Sequence, residues 1–185
     1  SHGAARICVS FDETRRLLPW HSRWRREAIQ FTGNPVHSGM QSPSTIPRRS
    51  NHLLVLGGSQ GARHLNEAVA CWITSRPEDL RGWTVTHQTG SADQLAIAAR
   101  YAGVRDFCQA TTQVFIPELL PLYQSATLAI ARAGATSLAE MARQGVPAIL
   151  VPLPSAARNH QLANAQWYVE RSAARIVQQA ATPDR

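Results

Sequence analysis

The sequence predicts an α/β fold: a Rossmann-like parallel sheet with helices on both faces, spanning about residues 52–180. Three observations lead there. From residue 52 onward, short apolar runs alternate with stretches of helical period, the pattern of consecutive βαβ units. The runs Leu53-Leu54-Val55-Leu56, Thr127-Leu128-Ala129-Ile130-Ala131 and Ala148-Ile149-Leu150-Val151 are apolar at successive rather than alternate positions. Strands of that kind are covered on both sides. Finally, turns rich in glycine or small residues follow two of these runs at once, where strands hand over to helix N-termini.

Taken in order, the chain begins with a strand-like run, Ala5 to Phe11 (ARICVSF), and a second extended piece, Ala28 to Thr32, that leads into Gly33-Asn34-Pro35-Val36. Residues 1–37 read as the remnant of a different domain. Residues 38–51 are rich in Ser, Pro and Arg without periodicity, which makes them a linker. The regular part then predicts strands at 52–57, 83–88, 127–131, 148–151 and 174–177, with an extended segment near 105–114. Helices are predicted at about 61–75, 91–102, 117–124, 135–144 and 159–172.

Composition narrows the function. A chain of 185 residues holds one good core, or one domain and part of another. The formal net charge is +7, and all 19 basic residues are Arg. Without Lys there is no Schiff-base chemistry and no Walker-type phosphate lysine. The arginines are scattered over several helices instead of forming a stripe, so no nucleic-acid partner is expected. One cluster, Arg15, Arg16, Arg23, Arg25 and Arg26 with Trp20 and Trp24 between them, suits phospholipid head groups, although a solvated basic loop is the plainer reading. No apolar run approaches the ~20 residues of a membrane span, and the start shows no signal-peptide pattern. Cys8, Cys71 and Cys108 lie far apart in mostly apolar surroundings with no CxxC spacing, which predicts reduced, buried thiols in a cytosolic protein.

Three loops concentrate the chemistry. In Leu53–Val69 (LLVLGGSQGARHLNEAV) a strand runs into Gly57-Gly58-Ser59-Gln60-Gly61. This is neither GxGxxG nor a Walker motif. Its glycines still allow close backbone approach, and a helix starting near Gly61 aims free N–H groups at a ligand. Ser59 adds a hydroxyl donor; a merely tight turn is the competing reading. In the second loop, Arg132 to Glu140 (RAGATSLAE), the residues Gly134, Ala135, Thr136 and Ser137 form a small-residue helix start, a second phosphate cradle. Glu140 lies about one turn (~3.6 residues) further on, facing the side of Thr136. A carboxylate there suits ribose hydroxyls, or only the helix dipole. In the third loop Pro152-Leu153-Pro154 precedes Arg158 to Ala165 (RNHQLANA), where Gln161 and Asn164 project their amides to one side, as a sugar requires. Phosphate, ribose and sugar in one crevice describe a nucleotide-sugar site.

The runs LLVLGGSQGARHLN, ARAGATSLAEMARQGVPAILVPLP and RNHQLANA, with GNPVH before them, resemble the C-terminal half of the MurG family, glycosyltransferase family 28 of GT-B architecture. The resemblance implies an inverting transfer of N-acetylglucosamine from UDP-GlcNAc onto undecaprenyl-linked muramoyl-pentapeptide, lipid I to lipid II. It also implies peripheral attachment to the cytoplasmic face of the bacterial inner membrane. No cofactor and no metal are implied. By resemblance Ser59 lies near the diphosphate or ribose, Ile116 offers its backbone to uracil, and Ala135, Thr136, Ser137, Leu138 and Ala139 surround the phosphates. Glu140 binds the ribose hydroxyls, and Gln161 with Asn164 holds the GlcNAc. His37 stands where the family has Arg after GNPV, which puts one donor contact in doubt. The family's N-terminal glycine-rich loop, with its base, has no counterpart in these residues, so the chain is expected to bind donor and do little chemistry by itself. Two alternatives stay open: a stand-alone donor-binding subunit that docks on a membrane partner, and a relative with another donor or lipid acceptor.

Overall fold

The structure, a computed structural model, describes residues 5–14, 28–40, 50–57, 62–154 and 160–179. Two short strands, β1 (Ile7–Val9) and β2 (Ile29–Phe31), pair in parallel as a sheet of their own. The main sheet has six parallel strands: β3 (His52–Leu56), β4 (Thr84–Gln88), β5 (Gln109–Gln113), β6 (Leu128–Ala131), β7 (Ala148–Leu150) and β8 (Ala174–Ile176). Their order is β5-β4-β3-β6-β7-β8. The chain therefore steps outward from β3 to β5, returns across the sheet, and restarts at β6 on the other side of β3. The predicted α/β class and parallel sheet are what is observed.

The connecting helices are α1 (Arg63–Ser75), α2 (Gln94–Tyr101), α3 (Leu120–Ser125), α4 (Ala135–Arg143) and α5 (His160–Val169). All five residues of β3 are buried, as the unbroken LLVL run requires. Strand alternation sorts them into two cores. Leu54 and Leu56 join Tyr123, Leu138, Met141 and Leu150 on one face. Leu53 and Val55 join Leu65, Val69, Ile73 and Ile97 on the other. Each such side chain contributes about 1.5–3 kcal/mol when fully buried. By contrast, β5 reads Gln-Ala-Thr-Thr-Gln and is only half covered, as befits an edge strand.

Several boundaries differ from the sequence expectation, and α2 and α3 each start three residues late, at Gln94 and Leu120. Helix α1 starts at Arg63, two residues late, because Ala62 takes a non-helical conformation and its carbonyl accepts the first helical bond, from the Asn66 amide at 2.8 Å. In the 105–114 segment only Gln109–Gln113 is strand. Helix α5 ends at Val169, and Ser172, at φ 56°, lets the Ala173 amide close back on the Tyr168 carbonyl at 3.0 Å. The cysteines need a larger correction. Cys108 is buried, but Cys8 and Cys71 are exposed, since strand and helix periodicity turn both outward despite apolar sequence neighbours. The basic Arg/Trp cluster of residues 15–26 lies outside the described residues.

The N-terminal piece is seated on the main domain. Phe11 packs edge-on against Trp167 with ring centroids 5.6 Å apart, and Met40 is buried in the core that holds Leu54 and Tyr123. Arg143 Nε donates to the Met40 carbonyl, and Asn34 Nδ2 lies 3.4 Å from the Thr136 hydroxyl oxygen.

One polar cluster sits inside the β3–β4–α1–α2 core. Asn66 Nδ2 donates to the Thr89 carbonyl and to Asp93 Oδ2, both at 2.8 Å. Its Oδ1 is therefore an acceptor, so His87 Nε2, 3.1 Å away, carries the proton. That makes His87 Nδ1 an acceptor for the Tyr101 hydroxyl at 2.8 Å. Burial pushes the imidazole from 6.5 down to about 4, against the raising pull of Asp93. The unfolded chain then binds the extra proton between those two values. Stability should fall as pH drops from about 6.5 towards 4, by about 3 kcal/mol from this group. Urea unfolding across that range should show the loss, and His87→Gln should flatten it.

Candidate functional site

In an open parallel sheet the loops beyond the strand carboxyl ends part company where the strand order reverses. Here that point lies between β3 and β6. The Arg132 amide donates to the Leu56 carbonyl at 3.4 Å, and the Gly57 amide to the Gln88 carbonyl at 3.3 Å, so three strand ends meet there. Gly57 is tightly enclosed. A Cβ added to it would sit 3.1 Å from both the Ala62 nitrogen and Asn66 Oδ1. The first expected cradle thus begins at the switch point. Ser59 lies outside the described residues.

The second loop leads from β6 into a helix start, as predicted. Helix α4 starts after Gly134, which is extended (φ −70°, ψ 137°) and makes no side-chain cap. The amides of Ala135, Thr136 and Ser137, in the first helical turn, precede the first intrahelical donor and suit an anion. Leu138 is different: its amide donates to the Gly134 carbonyl at 3.0 Å, and its side chain is 1 % exposed in the core. Ala139, half-buried, stands deeper in the helix. The helix-start donors are thus three residues rather than five.

Glu140 is half-buried, one turn into α4, and its Oε2 accepts a 3.1 Å hydrogen bond from the Tyr123 hydroxyl. Burial, followed by the neighbouring carboxylate, pushes the Tyr123 phenol far up, so it stays a donor at any working pH. The carboxylate is thereby held in place.

Gln161 and Asn164 both reach back to the loops. Gln161 Oε1 accepts from the Leu153 amide at 3.0 Å, and Asn164 Nδ2 donates to the Ala133 carbonyl at 3.1 Å. Backbone partners fix both amide orientations, because an N–H only donates and a carbonyl only accepts. These bonds use the Gln161 carbonyl and the Asn164 NH2, leaving the Gln161 NH2 and the Asn164 carbonyl as the other ends of the two amides. Ile116 is buried after β5, and its amide donates to Gln88 Oε1 at 3.1 Å. His37 is exposed, with Nδ1 accepting from the Gly39 amide at 3.3 Å.

Three residues that organise the site were given no role by the sequence. Arg132 donates through one terminal nitrogen to the Val151 carbonyl at 2.9 Å and through the other to Gln179 Oε1 at 2.8 Å. It clamps the ends of β6 and β7 to the segment after β8. Gln88 and Asn66 are fully buried amides. Asn66 was detectable: it interrupts the inward positions Leu65, Val69, Ala70 and Ile73 of α1, and a polar residue there needs partners.

A six-stranded parallel α/β sheet in this order is the architecture of a GT-B glycosyltransferase C-terminal domain. Residues 52–185 match the glycosyltransferase family 28 C-terminal domain, and the chain belongs to that family. Among its relatives is the UDP-N-acetylglucosamine--N-acetylmuramyl-(pentapeptide) pyrophosphoryl-undecaprenol N-acetylglucosamine transferase of Desulfotalea psychrophila, 36% identical over 95% of this chain and 46% of that protein. The enzyme of the same name from Nitratidesulfovibrio vulgaris is 41% identical over 94% of this chain and 47% of its own length. The crystal structure of Acinetobacter baumannii MurG superposes with a TM-score of 0.73 at 31% identity, covering 98% of this chain and 49% of that one. The chain spans about half the length of the curated relatives it matches. A calicheamicin glycosyltransferase, at 18% identity and TM-score 0.59, shares the fold.

Removing the clamp should show its weight. Arg132→Ala should lower unfolding free energy by roughly 1.5–3 kcal/mol, the scale of charged hydrogen bonds, in urea denaturation.

Proposed function

We propose that this chain is the UDP-GlcNAc-binding half of an inverting N-acetylglucosaminyltransferase that converts lipid I to lipid II in peptidoglycan synthesis. The observation that carries the reading is the α4 start, with its three helix-start amides and a Tyr123-held Glu140 one turn deeper, at the switch point of the sheet. The names of the relatives supply the donor, the acceptor and the reaction. Residues 52–180 form the donor domain, 38–51 the linker, and 1–37 belong to the acceptor side.

The described residues support these roles by their placement, and Ser59 takes its role from the motif alone. Gly57, Ser59 and the amides of Ala135, Thr136 and Ser137 face the diphosphate. Glu140 takes the two ribose hydroxyls, and the Ile116 backbone meets the base. The Gln161 NH2 and Asn164 carbonyl hold the sugar hydroxyls. In transfer the acceptor hydroxyl attacks the anomeric carbon while the bond to UDP breaks, inverting that carbon, and a base on the acceptor side takes the proton. Charge grows on the departing diphosphate, where the α4 N-terminus stabilises it. The acceptor and its base belong to polypeptide beyond these residues, on the same chain or a partner. Phe31 on β2, 48% exposed, offers an apolar edge for it. The whole enzyme works at the cytoplasmic face of the inner membrane as a peripheral protein, in cell-wall growth and division; among the described residues no helix is long and apolar enough to cross a membrane.

Calorimetric titration tests the donor. UDP-GlcNAc should bind more tightly than UDP-glucose or UDP-galactose, and RNA should not compete at low or high salt. RNA binding that falls steeply with salt, without UDP binding, would refute the reading. Glu140→Ala should weaken UDP-GlcNAc by roughly 1–3 kcal/mol. Because that change also strips Tyr123 of its acceptor, Glu140→Gln is the cleaner variant: it keeps the phenol's partner, so any loss of affinity reports the ribose contact alone. Unchanged affinity in both would leave Glu140 a purely structural residue.

A further inference from the structure

The connection from the end of β5 to the start of β6 carries both Ile116 and the helix α3. Tyr123, in the middle of α3, is 0% exposed and belongs to the core that α4 supplies with Leu138 and Met141. Its ring is wholly inside, yet its hydroxyl donates to Oε2 of the half-buried Glu140 at 3.1 Å. A buried phenol needs a partner, and burial keeps this one protonated as a donor. Among the described residues no other hydrogen bond or ion pair engages the Glu140 side chain. The last torsion of a glutamate is broad, without a strong staggered preference. One fixed donor on Oε2 therefore decides how the carboxylate plane lies. That bond leaves Oε2 a second lone-pair site and Oε1 both of its own, enough for two hydroxyl donors.

We propose that Tyr123 is a positioning residue that acts through Glu140: its hydroxyl fixes the carboxylate plane so that both hydroxyls of a ribose are taken at once, which selects ribose over 2′-deoxyribose. The proposal rests on the reading of Glu140 as the ribose residue. Tyr123 itself, wholly buried, does not touch the ligand. A phenylalanine would fill the core at this position, yet would leave the carboxylate free to turn about its last bond. The ligand would then have to order it on arrival, which weakens binding. A ligand with one hydroxyl suffers less from this, because a single O–H can follow a carboxylate that turns. Two hydroxyls fixed on one ring cannot. The loss should therefore fall on the ribose ligand more than on the deoxyribose one.

The test compares UDP with 2′-deoxy-UDP as ligands of the 185-residue chain, by ligand-observed NMR titration, with thermal midpoints recorded in parallel. The wild-type chain should prefer UDP about tenfold, the weight of one hydrogen bond to a charged group. Tyr123→Phe removes one oxygen and keeps the ring. It should weaken UDP about fivefold and the deoxy ligand by less than about twofold, so that the preference shrinks to about threefold. In a Glu140→Ala background the same change should do nothing further to either ligand, because the residue it acts through is gone. Equal losses for the two ligands, tracking the thermal midpoint, would reduce the pair to core structure and overturn the proposal. So would an unchanged preference in Tyr123→Phe, or a further loss of affinity when it is added to Glu140→Ala. Should Tyr123→Phe fail to fold, Tyr123→Met decides by the same ratio. A wild-type chain that binds both ligands equally, or neither, overturns the ribose reading of Glu140 and the proposal with it. A wild-type preference that Tyr123→Phe leaves intact and Glu140→Ala abolishes overturns only the role of Tyr123.

Discussion

Everything at the site depends on β3 lying at the centre of an all-parallel sheet. A parallel strand needs a crossover to reach its neighbour, and a chain that fills one side of β3 first must return to fill the other. The return puts the β3 and β6 connections side by side at the same end of the sheet, the place where open α/β sheets form a crevice. Full burial of Leu53 to Leu56 makes that centre rigid. The crevice is thus a consequence of topology before any functional residue is considered.

Around it the polar side chains divide by how much of their hydrogen-bonding capacity the fold consumes. Asn66 and His87 are wholly engaged by protein partners, and Arg132 gives each terminal nitrogen a protein partner and ties the strand ends together. Gln161 and Asn164 are half engaged, each giving one end of its amide to a backbone group. Glu140 spends one oxygen on Tyr123. This middle group is the one a ligand can use at low cost, because its geometry is set before the ligand arrives.

The α/β class and the order of elements were legible because unbroken apolar runs and helical periods are strong local signals, and β3 and β6 carry them most clearly. The RAGATS turn was legible for the same reason, since small residues after a strand leave few alternatives. Helix ends were less so: α1 begins two residues late because Ala62 is non-helical, a backbone choice that no side chain announces. The outward Cys8 and Cys71 show the limit of judging burial from apolar neighbours in sequence, where periodicity decides. The Tyr123–Glu140 bond and the Asn66–His87–Tyr101 chain join residues 14 to 21 positions apart across different elements. Their partners become neighbours only once the sheet has formed.

The central claim is that a UDP-sugar sits at the β3–β6 switch point, between Gly57 and the start of α4. Amide chemical-shift mapping with UDP-GlcNAc addresses it most directly. The account predicts that the largest changes fall on Gly57, Ala135, Thr136, Ser137 and Ile116, with Leu138 and the β8 end of the sheet little moved. Saturable shifts centred elsewhere, or none at these five amides, would contradict it.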